Sequence, residues 1–192
     1  MALAINHVIL DRDGVLNLEA PDGGYVTNWS QWRWLPGARE GLAMLGAAGV
    51  CVSVATNQAG VGRGIVSQAD LDVIHAHMTH GAALGGGVIG RVFVCPHAPD
   101  SGCDCRKPAP GLLNQAIEAT GIPRQMTIAV GDDLRDVEAA WAANVSVAVV
   151  RTGKGCLTES VISGRGVPVF ADLREFAAAV LSNSIPQASA VS

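Results

Sequence analysis

The sequence predicts an α/β domain with a mostly parallel sheet and helices on both faces. Two observations carry this. Short apolar runs, several of them β-branched, alternate with segments of helical periodicity along the chain. Polar or metal-binding positions also follow directly after four of these runs: Asp11, Thr56, the loop after Val94, and Asp132. In such sheets, ligands bind at the carboxyl ends of the strands, so these positions should share one edge.

The elements run as follows. His7 to Leu10 is a strand with Asp11 at its end. Gly37 to Ala48 is a helix with Pro36 near its start. Val50 to Ala55 is a β-branched, buried strand. Ser67 to His80 is a helix capped by Ser67, with Asp70 three residues on. Arg91 to Val94 is a strand. Pro110 to Thr120 is a helix closed by Gly121. Thr127 to Val130 is a strand, Asp133 to Ala143 a helix and Val145 to Val150 a strand. Val167 to Phe170 is a weaker strand, and Asp172 to Leu181 a closing helix. No internal repeat is visible. The expected organisation is one domain over residues 1–181 and a flexible tail over 182–192, whose small polar residues favour fraying.

Length and composition bound the rest. A chain of 192 residues suits one domain. With 49% hydrophobic and 16% charged residues, the body can bury a core. The net charge of −4 weighs against nucleic acid and anionic membranes as partners. Gly41 to Gly62 has no charged residue, yet Gly46, Gly49, Ser53, Asn57 and Gln58 interrupt it. A spanning helix needs about 20 mostly apolar residues. The stretch therefore reads as a helix, a turn and a strand. Met1 to Asn6 has no basic region followed by an apolar run, so no signal peptide is apparent and the expected location is the cytoplasm. Of five cysteines, three crowd one loop with His97, which in a cytoplasmic chain points to metal rather than disulfides. Cys51 reads as a buried structural thiol.

Five motifs bear on chemistry. Asp11-Arg12-Asp13-Gly14 puts two carboxylates one residue apart after a buried strand. Like charges so close raise each other's proton affinity unless a cation intervenes, and Mg²⁺ prefers such oxygen ligands. Asp11 could then attack phosphorus, while Asp13 protonates the leaving oxygen and later activates water. Asp and Gly also form turns, so taken alone the motif is open between turn and site. Thr56-Asn57 follows a strand, where a hydroxyl can donate to a phosphoryl oxygen or simply cap a loop. Cys95, His97, Cys103 and Cys105 supply three thiols and an imidazole, a set that suits a closed structural zinc site. Arg106-Lys107 follows at once, so a metal-stapled loop could aim Lys107 at phosphate and Arg106 at a substrate anion. Asp132, after Thr127–Val130, could complete the Mg²⁺ shell begun by Asp11. Asp133 and Asp136 are accounted for by the preference of acidic residues for a helix's first turn.

In this order the motifs resemble those of the haloacid dehalogenase-like phosphatases. More narrowly, Asp11-Arg-Asp-Gly, Thr56-Asn-Gln, Cys95-Pro-His, Cys103-Asp-Cys-Arg-Lys-Pro108 and Gly131-Asp look like the branch of heptose 1,7-bisphosphate 7-phosphatases and histidinol-phosphatases. The resemblance runs from about His7 to Gly153. It implies a Rossmann-like fold with a zinc-stapled loop and no large cap domain. It further implies that Asp11 is the nucleophile and an Mg²⁺ ligand, that Asp13 is the general acid/base with its carbonyl on the metal, and that Asp132 binds Mg²⁺. Thr56, Asn57 and Lys107 would hold the transferring phosphoryl group, the zinc quartet would be structural, and Arg106 would recognise substrate. Tyr25, Arg63 and Arg151-Thr-Gly-Lys154 look like the heptose enzymes, whose product feeds cell-surface polysaccharide such as lipopolysaccharide. The short zinc loop looks more like the histidinol enzymes, Asp133 stands where heptose enzymes can carry Lys, and Ala20 to Gly23 reads as an insert before Tyr25. The expected substrate is a phosphorylated sugar, the heptose bisphosphate, and the expected state a monomer. Alternatives are histidinol phosphate, a 3′-phosphorylated polynucleotide, and a non-enzymatic zinc module. A nucleotide-binding domain fits less well, because the first strand leads into Asp-x-Asp rather than a Gly-rich turn. Leu18 to Leu35, with Tyr25, Trp29, Trp32 and Trp34, is either a small lid or an aromatic cluster packed on the core.

Overall fold

The computed structural model describes residues 5–20 and 23–185. Six strands form one parallel sheet in the order β3-β2-β1-β4-β5-β6. They are β1 (His7–Leu10), β2 (Cys51–Asn57), β3 (Arg91–Cys95), β4 (Thr127–Gly131), β5 (Ser146–Val150) and β6 (Val169–Phe170). Side chains alternate across a strand, so each strand feeds two cores. Val8, Leu10, Val54 and Val130 face one layer, built on α1 (Ala38–Ala47), α3 (Gln68–Leu84) and α7 (Leu173–Leu181). Ile9, Ala55, Ala129 and Val149 face the other, where α4 (Gly111–Thr120) and α5 (Leu134–Ala142) pack. Two further helices, α2 (Ala59–Gly62) and α6 (Gly155–Val161), follow β2 and β5. Strand order runs outward from β1 in one direction and from β4 in the other. Such a reversal leaves a crevice at the carboxyl ends of the two central strands.

All eleven expected elements are present. Two of them run longer. β2 continues through Thr56 and Asn57, which pair with Val94 and Cys95 of β3. α3 runs past His80 because Gly81 is a packing residue, where a Cβ would lie 3.2 Å from the Trp34 ring. α2 and α6 were not expected, since their Gly-rich starts give no periodicity. Ser67 caps α3 as its residue type implies, accepting from the Asp70 backbone N–H. Cys51 departs from expectation, being only half-buried because it opens β2 at the sheet's rim. No helix among the described residues is long and apolar enough to cross a membrane. The expected tail is described only as far as Ile185. Residues 186–192, Met1 to Ala4 of the N-terminal segment, and 21–22 of the expected insert lie outside the described residues.

Leu18 to Leu35 leaves and rejoins the core at a closed base, where Leu18 N–H donates to Arg33 and Leu35 N–H to Leu16. Its tryptophans form the aromatic cluster. Trp32 is buried and stacks on Trp29 at 5.4 Å, and Trp34 meets it edge-on at 5.2 Å. Tyr25 instead lines the cleft. The segment is thus an anchored cluster that also contributes to the site.

At the opposite edge of the sheet, His7 is fully buried, with Nε2 3.0 Å from Ser53 Oγ and Nδ1 3.5 Å from Thr127 Oγ1. Burial lowers its pKa to about 4. The folded state therefore resists a proton that the unfolded chain accepts near pH 6.5, and stability falls as pH drops from 6.5 toward 4. Urea unfolding at pH 7 and pH 5 checks this. The wild type should lose on the order of 2 kcal/mol more than His7→Val over that interval.

Candidate active site

The crevice opens as a cleft of ≈ 210 Å³ lined from five segments, one of them the loop after β5, which supplies Lys154. The loop after β1 supplies Asp11, Asp13 and Glu19, and Tyr25 stands on the segment beyond it. The end of β2 supplies Thr56, Asn57 and Gln58. The loop after β3 supplies Arg106 and Lys107, and the start of α5 supplies Asp132, Asp133, Arg135 and Asp136. Strand register accounts for the convergence. Leu10 pairs with both Val54 and Val130, so the residues past their ends fall side by side.

At the floor, Lys107 is 4% exposed, and its Nζ lies 2.9 Å from Asp11 Oδ1 and 2.6 Å from Asp136 Oδ1. Burial alone would lower its pKa, but the charges of Asp11 and Asp136 outweigh this and raise it. The main chain of Lys107 is clamped by Asn57, whose amide donates to Lys107 O and accepts from Lys107 N–H, each at 3.0 Å. Asn57's side chain is therefore spent on holding Lys107.

One carboxylate oxygen from each of Asp11, Asp132 and Asp136 lies within 4.8 Å of the others. Burial pushes Asp11 to about 7, with Lys107 opposing and Asp136 and Asp13 adding to the rise. Asp132 is pushed to about 8 by burial and by the charges of Asp11 and Asp136. Hard oxygen donors whose ionisation is resisted by burial and mutual repulsion suit a divalent cation, which reverses both effects. The Asp13 carboxylate is not part of this cluster. It accepts from Arg12, Asn17 and Gln58. Burial raises its pKa, but Arg12's charge and these bonds prevail and hold it below the usual carboxylate range. The expected mutual elevation of Asp11 and Asp13 is thus confined to Asp11.

Gln58 also donates to Thr56 Oγ1 at 2.9 Å, which occupies the hydroxyl as an acceptor and leaves its own O–H to donate elsewhere. Arg106 lines the cleft with a buried Nη1 that has no protein partner. Arg63 does not line it. It donates to Tyr25 Oη at 2.9 Å and so bears on the cleft through that ring. Four residues that matter here, Arg12, Asn17, Gln58 and Asp136, were not singled out for the site. Asp136 does cap α5 as its position implies, accepting from Asp133 N–H through Oδ2, and it also holds Lys107 through Oδ1. A residue with two roles satisfies the simpler one first, which hides the second.

Behind Arg106, Cys95 Sγ, His97 Nδ1, Cys103 Sγ and Cys105 Sγ cluster within 4.8 Å. Neighbouring atoms are 3.3 to 3.7 Å apart. Disulfide sulfurs sit about 2.05 Å apart. Four ligands about 2.0–2.3 Å from a tetrahedral zinc stand roughly 3.5 Å from one another. The quartet fits zinc and not disulfides.

A family model described as HAD-hydrolase-like matches residues 104–176. The chain is 42% identical over 174 residues to the D-glycero-beta-D-manno-heptose-1,7-bisphosphate 7-phosphatase of Pseudomonas aeruginosa, covering 91% of this chain and 97% of that one. The chain belongs to this family of HAD-like phosphatases. The corresponding alpha enzyme of Mycobacterium bovis is 40% identical, with 90% of each chain covered. A crystal structure of D,D-heptose 1,7-bisphosphate phosphatase from B. bronchiseptica, complexed with magnesium and phosphate, superposes with a TM-score of 0.87 at 38% identity, covering 93% of this chain and 99% of that one. Membership makes the chain a phosphoric monoester hydrolase with a HAD-like α/β fold.

Gly14 is one of the tight points around Asp132. Its φ is +85°, and a Cβ there would overlap the Asp132 carboxylate. Gly164 has a similar φ of +78° but nothing within 4 Å. Both Gly→Ala changes should lose about 1–2 kcal/mol to the left-handed backbone. Gly14→Ala should lose more and should also abolish the rise in Tm on adding Mg²⁺. Equal losses with an intact Mg²⁺ response would remove the Gly14–Asp132 contact as a constraint.

Proposed function

We propose that this chain is a Mg²⁺-dependent phosphatase that removes the C7 phosphate of D-glycero-D-manno-heptose 1,7-bisphosphate through a phospho-aspartate on Asp11. The observation that carries the reading is the floor of the cleft. There Lys107 bridges Asp11 and Asp136 beside Asp132, in a chain whose relatives are named for this reaction.

Asp11 and Asp132 would hold Mg²⁺, with the Asp13 carbonyl as a further ligand. When bound, the cation neutralises the carboxylates and polarises the phosphoryl oxygens. Asp11 Oδ attacks phosphorus, and the bond from phosphorus to the C7 oxygen breaks. Asp13, protonated in the substrate complex against the pull of Arg12, delivers that proton to the C7 oxygen, which leaves as the alcohol. Water then attacks phosphorus, Asp13 takes its proton, and the bond to Asp11 breaks to release phosphate. Lys107 and the Thr56 hydroxyl hold the transferring group, and Asn57 serves it by fixing Lys107. Arg106, with an unpaired buried Nη1, takes the second phosphate in a charge-assisted hydrogen bond. Tyr25, oriented by Arg63, lies against the sugar.

Cys95, His97, Cys103 and Cys105 hold a structural zinc that fixes the loop leading into Arg106 and Lys107. The enzyme is cytoplasmic and acts as a monomer, a single domain over residues 1–181 whose cleft is complete within one chain. Neither nucleic acid nor membrane is a partner, in keeping with the acidic balance.

The deciding assay is phosphate release with Mg²⁺ from both anomers of heptose 1,7-bisphosphate, from histidinol phosphate and from a 3′-phosphorylated oligonucleotide. One heptose anomer should exceed both other substrates by at least about 100-fold in kcat/KM. A preference for histidinol phosphate would move the enzyme to another substrate and remove Tyr25 and Arg63 from recognition. Metal analysis should find one zinc per chain, and Cys103→Ser should lose it together with about 10-fold or more in activity. Full activity without zinc would contradict its role.

A further inference from the structure

Arg12 has no part in the scheme above, yet it is 1% exposed and the largest side chain the fold buries completely. A guanidinium is not buried without return, because its desolvation exceeds what packing supplies unless every direction is matched. Arg12 meets three partners. Nε donates to Asp13 Oδ2 at 3.1 Å and Nη2 to Asp13 Oδ1 at 3.0 Å, a two-pronged grip on one carboxylate. Nη1 lies 3.1 Å from His75 Nε2 on α3. Arginine has no acceptor, so His75 accepts, and its Nε2 carries no proton. The guanidinium also lies 5.8 Å from the centre of the Trp32 ring, which stacks on Trp29. Trp29 in turn stacks on His77 of α3 at 4.9 Å.

These contacts join Asp13 to structure on both sides. One side is the helix α3, and the other the aromatic base of the Leu18–Leu35 segment. Asn17 at 2.9 Å and Gln58 at 2.8 Å complete the grip, so each carboxylate oxygen of Asp13 accepts twice. Asp13 stands just before Gly14, whose φ is positive, in a turn closed by Leu16 N–H donating to Arg12 O, so its main chain is fixed and its carboxyl is oriented by side-chain partners. General acid catalysis needs that group within hydrogen-bond reach of the leaving oxygen, so a protonated Asp13 must release one of these bonds while the others keep its direction. Asn17 and Gln58 each supply one bond, whereas only Arg12 fixes both the plane and the direction.

We infer that Arg12 is a positioning residue for Asp13, and that His75 and Trp32 hold Arg12 in place for that task. The inference rests on Asp13 being the acid that protonates the leaving oxygen.

The test uses the leaving group. An alkyl phosphate such as the heptose substrate needs a proton on its departing oxygen, whereas p-nitrophenyl phosphate departs as a stable phenolate. For this mechanism kcat/KM reports steps up to departure of the leaving group. Arg12→Lys keeps the charge and removes the two-pronged grip. It should lower kcat/KM for the sugar phosphate by about 10- to 100-fold and leave p-nitrophenyl phosphate within about 3-fold. His75→Leu, which removes only the outer contact, should move the same ratio in the same direction by less. Asp13→Asn combined with Arg12→Lys should be no slower than Asp13→Asn alone, because both act on one group. Equal losses on both substrates, or no loss on either, would overturn the inference and leave Arg12 a structural residue. If Arg12→Lys does not fold, the His75→Leu ratio decides alone. Should Asp13→Asn itself spare the sugar phosphate, the acid role of Asp13 fails, and this inference fails with it. A normal Arg12→Lys ratio beside an impaired Asp13→Asn would sink only Arg12's role.

Discussion

The buried ammonium of Lys107 is the interaction on which the rest of the site depends. Asp11, Asp132 and Asp136 bring three carboxylates together at the end of a sheet, and Lys107 is the cation that contacts two of them from below. Removing one partner of a buried pair leaves an uncompensated charge, at about 3–5 kcal/mol. Much of the surrounding architecture holds that one side chain. Asn57 clamps its backbone, the α5 cap fixes Asp136, and the Cys/His loop leads directly into it. Placed this way, Lys107 can contact a phosphoryl group received by Asp11 without moving.

The Cys/His loop reaches further than Lys107. Gly62 of α2 donates to Pro96 O at 2.8 Å, and Gln58 N–H donates to Cys95 O at 2.7 Å. A Cβ on Gly62 would lie 2.6 Å from Pro96 O, and one on Gly60 would lie 3.0 Å from the Tyr25 ring. The Cys/His loop, α2 and Tyr25 therefore pack as a chain in close contact. The residues proposed to grip phosphate and those proposed to border the sugar share one support. This gives a physical reason for a small, closed site to sit beside the cleft in a domain without a separate cap.

Much of the fold was legible because buried parallel strands are continuous apolar runs and most helices carry their caps in plain sight. Ser67 and Gly121 are examples. The residues at strand ends were legible too, since topology brings such positions to one edge. What stayed hidden was hidden for identifiable reasons. α2 and α6 are short and carry glycine in their first turn, so neither composition nor periodicity announces them. Asp136 looked like a helix-capping residue because it is one. Arg12 sits between two aspartates and reads as a surface charge until the fold buries it against Trp32 and His75. Tyr25 and the tryptophans posed a choice between lid and core. The structure divides them, with the indoles in the core and the phenol in the cleft.

The most direct test of the account is to catch the phosphoryl group on the protein. Acid quenching during turnover of the heptose bisphosphate, followed by borohydride reduction and peptide mass spectrometry, identifies any carboxylate that carried phosphate. The account predicts reduction at Asp11 alone, dependent on Mg²⁺ and strongly diminished in Lys107→Ala. Label on Asp13, Asp132 or Asp136 instead, or rapid phosphate release with no acyl phosphate at any point in the time course, would contradict it.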